Sequence, residues 1–268
     1  MGLGAKKMKI SIITPTLNRV NYLQACIESV VNQSHTAVEH VVVDGGSTDG
    51  TVELLRSMSA KYGDRIRWIS QRDNGMSEAV NHGLQMASGD VTGWFGSDDK
   101  LAEGALATVA DYFTKNPSAL WLYGSYVMLD GRGNFLQMKR AKPYNYKRFL
   151  RTGFICGPSV FVRAELAREA GPVREDLKYV MDFEWCLRLA AIAEPHKLDP
   201  VLAYYSWHPG SLTMTRRLEQ LDEGLRSSLD YASGPGERVV LTAANKFYKV
   251  RAWVRRVPWR LGLYPGRT

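Results

Sequence analysis

Four short apolar runs, each stopping at a polar cluster, constrain this chain more than any other feature. "KISIITPTL" runs into Thr14, Pro15, Thr16 and Asn18, and "VEHVVVDGGSTDGT" into Asp44, Gly46, Ser47 and Asp49. "RIRWISQRD" ends at Arg72 and Asp73, and "GDVTGWFGSDD" at Asp98 and Asp99. Between them Leu23, Cys26, Ile27, Val30 and Val31, then Val52, Leu55 and Met58, recur at helical spacing, and 76–88 reads as a third helix. Strand alternating with helix in this way predicts an α/β fold with a mostly parallel sheet covered by helices on both faces. Ligands of such sheets sit beyond the carboxyl ends of the strands, where all four polar clusters fall.

Beyond residue 100 the alternation weakens. The pattern predicts a helix over 101–115, then two strands joined by the turn "GRGN". A strand and a short helix closed by Gly171 follow over 159–171, then a helix over 181–193 and an extended segment over 200–213. The chain length of 268 residues suits one large domain with an appendage. Cys26, Cys156 and Cys186 have neither metal nor disulfide spacing, which points to buried thiols in a reducing compartment. No run of about 18 apolar residues is present, and the opening "MGLGAKKMKI" has no apolar signal region.

Several side chains are placed for chemistry. Asp44, at a strand end, can accept the imide hydrogen of a uracil or a ribose hydroxyl, and the glycines beside it let a nucleotide approach the backbone. A plain polar turn, with Thr48 or Asp49 at the helix start, is the alternative. The like-charged pair Asp98–Asp99 can hold Mg²⁺ or Mn²⁺ through one carboxylate together with diphosphate oxygens, or can cap the next helix. Asp182 and Glu184, two apart, fall on opposite flanks of a helix that buries Phe183, Cys186, Leu187 and Ala190. One of them can act as a general base, or both can serve the helix dipole. His208, in the loop "WHPGSLT", can reach a phosphate or the metal.

"SIITPTLNR", "VVVDGGSTDGT", "DNGMSEAVNHGLQMASGD" leading to "GSDD", and "KYVMDFEWCLRLA" together resemble the family 2 glycosyltransferases, inverting sugar transferases with a GT-A type fold. The resemblance spans about 10–213 in the family's order and spacing. It implies a nucleotide-sugar half over about 1–100 and an acceptor half over about 101–213. It implies that Thr14 and Asp44 line the nucleotide pocket and that Arg72 flanks it, with Asp73 and Asn81 near the donor. Asp98 and Asp99 take the place of the Asp-x-Asp element, with Asp99 on the metal, and Asp182 falls on the catalytic base. Ser97 replaces the first Asp of that element, and Glu78 stands where an Asp is more usual. The Gln-x-x-Arg-Trp signature of processive synthases is absent, which implies transfer of one sugar per encounter.

The net charge of +8 belongs to the tail: eight basic residues and no acidic one follow Glu237, leaving 1–237 close to neutral. Val239, Ala243, Phe247, Val250, Val254 and Val257 recur at helical steps, opposite Lys249, Arg251, Arg255 and Arg256, with Trp253 at the border. The segment 214–268 therefore reads as a basic amphipathic extension suited to an anionic membrane surface, with packing on its own domain or formation of a homodimer as the alternative. Nucleic acid is not expected as a partner, since no nucleic-acid module is visible. The combined expectation is a cytoplasmic, metal-dependent transferase, peripheral at the inner membrane face. It would move a sugar from a nucleotide sugar, a UDP-sugar first, to a saccharide acceptor that is lipid-linked. A sugar-nucleotide pyrophosphorylase would want a Gly-rich, basic loop after the first strand, which "TPTLNRVN" is not. A non-catalytic sugar-nucleotide-binding module would not need Asp44, Asp99 and Asp182 together.

Overall fold

The computed structural model describes residues 7–260, with side chains through 252. The first half holds β1 (Ile10–Thr16), α1 (Val20–Val31), β2 (Val38–Asp44), α2 (Thr51–Tyr62), β3 (Ile66–Ser70), α3 (Met76–Met86), β4 (Val91–Trp94) and β5 (Lys100–Leu101). Then come α4 (Ala105–Lys115), β6 (Trp121–Asp130), β7 (Phe135–Lys139), α5 (Tyr146–Thr152), β8 (Val160–Arg163), α6 (Ala164–Ala170) and α7 (Met181–Ile192). The chain continues through β9 (His196–Trp207), α8 (Leu212–Thr215), α9 (Arg217–Asp230) and α10 (Pro235–Arg260).

The strands form one sheet in the order β3-β2-β1-β4-β8-β6-β9-β5, with β7 attached to β6. The first four are parallel, as the alternating pattern requires. Beyond β4 the sheet is mixed, although β6 and β9 again pair in parallel. β8 runs antiparallel between β4 and β6, and β5 and β7 are also antiparallel to their neighbours. The reason is connectivity: a parallel neighbour needs a crossover, and past residue 100 strands and helices no longer alternate one to one.

Period-two alternation sorts the core onto the two faces of the sheet. Ile10 and Ile12 of β1 and Leu122 of β6 pack with Cys26 and Val30 of α1 and Leu106, Val109 and Phe113 of α4. Ile13, Val41 and Val43 point the other way, with Trp121, toward Val80 of α3 and Trp185 and Leu189 of α7. Gly83 allows α3 this close an approach, because a Cβ there would overlap the Ile13 side chain. Cys26 and Cys186 are buried and Cys156 is half-buried, and burial pushes all three thiols up from their ordinary range.

The helix α9, expected as the start of the extension, is bonded to the rest of the fold. Its Ser228 donates to Leu150 O at 2.7 Å, and Tyr231, just past its end, donates to Glu184 Oε1 at 2.9 Å. The helix α10 packs back on α9 through Leu241 and Asn245, with Lys249 paired to Asp222. Val239, Phe247 and Val250 of the expected apolar stripe remain 68%, 61% and 61% exposed. The side chains of Trp253, Val254, Arg255, Arg256, Val257 and Arg260, and all of 1–6 and 261–268, lie outside the described residues.

Glu39 on β2 is buried under the turn that precedes β4. It accepts from Lys9 Nζ at 2.8 Å, Ser11 Oγ at 2.6 Å and Ser88 N at 2.5 Å. Burial alone would raise its carboxyl, but the Lys9, Ser11 and Ser88 bonds overrule it and hold the group at about 2. A depressed carboxylate stabilises the fold above its ordinary pKa of 4.5 and loses that contribution as pH falls toward 2. The shift is equivalent to at most about 3 kcal/mol, less what solvent at the half-exposed Lys9 screens. Glu39→Gln should lower the thermal midpoint at pH 7 and flatten its dependence on pH between 4.5 and 2. Parallel melting curves for the two chains would contradict this if their gap did not shrink on acidification.

Candidate active site

The carboxyl ends of β1 and β4 open onto a cavity of about 370 Å³. Its walls come from Pro15 and Thr16 at the end of β1, Leu17 and Arg19 just after it, Asp73 and Gly75 after β3, and 96–99 after β4. The far wall is built by Gly157 and Pro158, by Lys178, Tyr179, Met181 and Asp182 at the start of α7, and by Tyr205, Ser206, Ser211, Leu212 and Thr213 around the end of β9. Thr16 Oγ1 and Ser211 Oγ are buried in this wall without a hydrogen-bond partner. Buried hydroxyls are normally satisfied, so both are suited to a polar ligand.

Asp98 and Asp99 diverge, which removes much of the conflict between adjacent charges. Asp98 Oδ2 lies 2.9 Å from His208 Nε2. Gly210 N donates to His208 Nδ1 at 3.2 Å, which leaves the ring hydrogen on Nε2, facing Asp98. The His208 ring is 3% exposed and stacks on Tyr22 at 4.9 Å. Asp99 turns inward, where its Oδ1 accepts from Ser206 N at 2.8 Å. Burial, and then the charge of Asp98, pushes the Asp99 carboxyl well above the usual range. The contacts of His208 are thus with Asp98, although the metal expectation had paired it with Asp99. Among the described residues no group of three or more His, Cys, Asp or Glu could hold an ion alone.

Asp182 sits in the first turn of α7, and its Oδ1 accepts from Phe183 N at 2.8 Å. Gly157 faces it, and a Cβ at 157 would come within 2.9 Å of Asp182 Oδ2. Burial raises the Asp182 carboxyl against the opposing Phe183 bond. Glu184 does not share this cavity. It is 1% exposed and paired with Arg188 at 3.0 Å. Of the expected stripe Phe183, Cys186, Leu187 and Ala190, only Cys186 and Leu187 are fully buried and the other two are half-buried, whereas Met181, Glu184, Trp185 and Leu189 are buried as well.

The loops after β1 and β2 are tied together. Asn18, the only non-glycine with positive φ among the described residues (52°), accepts from Thr48 N at 2.9 Å and donates through its own N to Ser47 Oγ at 2.7 Å. Asp49 accepts from Val20 N at 3.1 Å. Asp44 is fully buried, and its carboxylate takes Gly46 N, Ser47 N, Ser70 Oγ at 2.6 Å and Ser47 Oγ. Arg72 is exposed, and its backbone lies against Gly46. Asp73 faces the cavity, and burial raises its carboxyl.

Two expected donor contacts are turned elsewhere. Thr14 points inward, where alternation along β1 sets it beside His40 Nε2 at 2.9 Å, and burial holds that ring neutral, with its pKa pushed down to about 3. Asn81, in the middle of α3, receives Val173 N at 2.8 Å and donates to Val173 O at 3.0 Å and to Glu175 at 2.8 Å. Residues not singled out in the sequence complete the walls. Arg19 donates to Gly210 O at 3.1 Å, and Trp94, Lys178, Tyr179 and Tyr205 line the cavity. Only the position of Arg19 beside a strand-end cluster could have pointed to it.

Residues 11–169 match the family described as "Glycosyl transferase family 2". The PGL/p-HBAD biosynthesis glycosyltransferase of Mycobacterium tuberculosis is 30% identical over 259 residues, covering 93% of this chain and 96% of that protein. Two solved structures share the fold. The mannosyltransferase PcManGT of Pyrobaculum calidifontis, in complex with GDP-Man and Mn²⁺, has a TM-score of 0.68 at 18% identity, covering 96% of this chain and 73% of that one. S. aureus TarS 1-349, in complex with UDP-GlcNAc, has a TM-score of 0.66 at 18% identity, covering 96% and 76%.

The three bonds of Asn81 close a loop, and their loss should cost stability and spare binding. Asn81→Ala should destabilise the chain by roughly 1–3 kcal/mol, since it leaves Val173 N–H buried and unpaired. Denaturant unfolding reads the first effect and calorimetric titration with UDP the second. A large loss of UDP affinity without loss of stability would return Asn81 to the donor site.

Proposed function

This chain belongs to glycosyl transferase family 2, and from that premise we propose that it is an inverting, non-processive transferase using a nucleotide-sugar donor and a divalent metal. The observation that carries this reading is the single cavity shared by Asp98, Asp99 and Asp182. One side offers groups for a metal–diphosphate and the other a carboxylate for an acceptor hydroxyl.

The donor set fits Mg²⁺ or Mn²⁺. Asp98 lines the cavity, and His208 Nε2 donates to its Oδ2 at 2.9 Å, which leaves Asp98 Oδ1 as the oxygen for an ion. With fewer than three protein ligands, the ion would share its shell with diphosphate oxygens and water, as Mg²⁺ commonly does. We assign the ion to Asp98, with His208 orienting that carboxylate and not itself a ligand, in preference to Asp99, which is buried and already bonded to Ser206. When bound, the ion supplies charge neutralisation to the nucleoside diphosphate leaving group. The preformed loop around Asp44 and Asn18 supports a nucleoside pocket beside Thr16 and Asp73, and a UDP-sugar is the first candidate.

Asp182 takes the proton from the acceptor hydroxyl as that oxygen attacks the anomeric carbon opposite the leaving group. Its raised carboxyl makes it a better base than an ordinary Asp, and the α7 N-terminus helps keep it ionised. Leu17 and Leu212, 51% and 39% exposed at the cavity wall, support an acceptor with an apolar portion such as a lipid-linked saccharide. The name of the mycobacterial relative, which refers to PGL and p-HBAD biosynthesis, is compatible with that choice. No described helix is long and apolar enough to cross a membrane. We assign the exposed Val239, Phe247 and Val250 of α10, with Lys246 and Arg251 nearby, to an anionic cytoplasmic membrane surface.

Asp182→Asn keeps the shape and removes the base. Turnover, measured as UDP release, should fall by about 10²- to 10⁴-fold while UDP affinity stays within a few-fold. Unchanged turnover would refute the base assignment. Asp98→Asn should remove the Mn²⁺-dependent part of UDP affinity, and Asp99→Asn should affect it less; the reverse order, in the same titration, would restore Asp99 as the ligand. Vesicles containing anionic lipid should bind the full chain at low salt and release it as salt rises, because the attraction is screened. Phe247→Asp combined with Val250→Asp should abolish this binding. If the parent chain ignores such vesicles and sediments as a dimer, the face belongs to a second copy.

A further inference from the structure

We propose that Glu223 of α9 is a positioning residue for the reaction: it holds the segment 178–180 and thereby aims Asp182 into the cavity. The inference rests on the reading of Asp182 as the base. Glu223 is 4% exposed. Its Oε1 accepts from Lys178 N at 3.0 Å, and its Oε2 accepts from Tyr179 N at 2.6 Å and Val180 N at 3.0 Å. Three successive amides therefore converge on one carboxylate immediately before α7 begins at Met181.

A helix start leaves its first amides without intrahelical partners, and a side chain usually satisfies them from nearby in sequence. Here Val180 at the N-cap supplies no side-chain cap. Glu223, some 40 residues downstream, acts just upstream of that turn: it takes the N-cap amide of Val180 and the two amides before it, and so fixes the chain that enters the helix. On the opposite side of the same segment, Ser77 Oγ of α3 donates to Leu177 O at 2.8 Å. The stretch is thus gripped from both sides. Lys178, Tyr179 and Asp182 all line the cavity, so this grip sets one of its walls. The second α9 contact, Tyr231 to Glu184, holds the same helix one turn further on. Asp182 itself receives only Phe183 N in this structure, so the start of α7 determines where its carboxylate points.

Gln in place of Glu223 keeps the size, removes the charge and sets an NH₂ donor against amides that need acceptors. The test compares the full-length parent chain with Glu223→Gln, Glu223→Asp and Asp182→Asn. Amide exchange at 178–180, Mn²⁺–UDP affinity and turnover as UDP release are measured on each. We expect faster exchange at 178–180 in Glu223→Gln. Turnover should fall roughly 10- to 100-fold with Mn²⁺–UDP affinity within about threefold, because an ångström of misplacement costs chemistry more than binding. Glu223→Asp should recover part of the turnover, and it carries the comparison alone if Glu223→Gln does not fold. Unchanged exchange at 178–180, or turnover within about twofold of the parent, overturns the proposal. So does a parallel loss of turnover and nucleotide affinity, which would mark a purely structural role. If Asp182→Asn is impaired and Glu223→Gln is not, positioning alone falls. If Asp182→Asn is also unimpaired, the base reading falls and takes the positioning role with it.

Discussion

The hydrogen-bonded register between β1 and β2 is the constraint on which the rest of the molecule depends. It pairs residues from Ile10 with Val38 up to Thr16 with Asp44, so both strands stop at the same level. β3 stops there too, with Ser70 opposite Asp44. The polar residues after β1, β2 and β3 then emerge at one edge of a buried parallel sheet. A one-residue slip would send Thr14 and Thr16 to the other face and would bury the loop glycines. The ties among Asn18, Ser47, Thr48 and Asp49 use that alignment, since they link loops that only a shared end-level can bring together.

The second half supplies what a parallel sheet alone lacks, a wall opposite those loops. β9 brings Ser206 and His208 to the Asp98–Asp99 turn, and α7 brings Asp182. The electrostatic character of the site follows from this closure. Asp73, Asp99 and Asp182 are each raised chiefly by loss of water, and none of the three has a salt-bridged cation. A cavity walled by such carboxyls favours a cation over a bare anion, which is compatible with the proposed metal-bound diphosphate.

The sequence was legible where one local period ruled. The strands and helices up to β4, the β6–β7 hairpin and the helix α7 all follow from alternation or helical spacing, and the cluster ends marked the cavity. It was less legible where long-range geometry ruled. Nothing near Val160 says that β8 will run antiparallel between β4 and β6, because pairing direction is set by how the chain returns. Thr14 and Asn81 have residue types that suit a ligand, but parity along β1 and the approach of 173–175 direct them inward. Glu223 falls in the segment read as a basic extension, and only its packing against 178–180 distinguishes it.

The three cysteines carry a practical consequence. Each thiol is pushed up by burial, so almost none is present as the thiolate that reacts with alkylating or oxidising reagents. Cys26 and Cys186, buried as well, are shielded from maleimides, and Cys156 is half-buried. A cysteine introduced at an exposed position such as Phe247, with Cys156 replaced by serine, would be the accessible thiol on which a fluorophore or spin label could be installed.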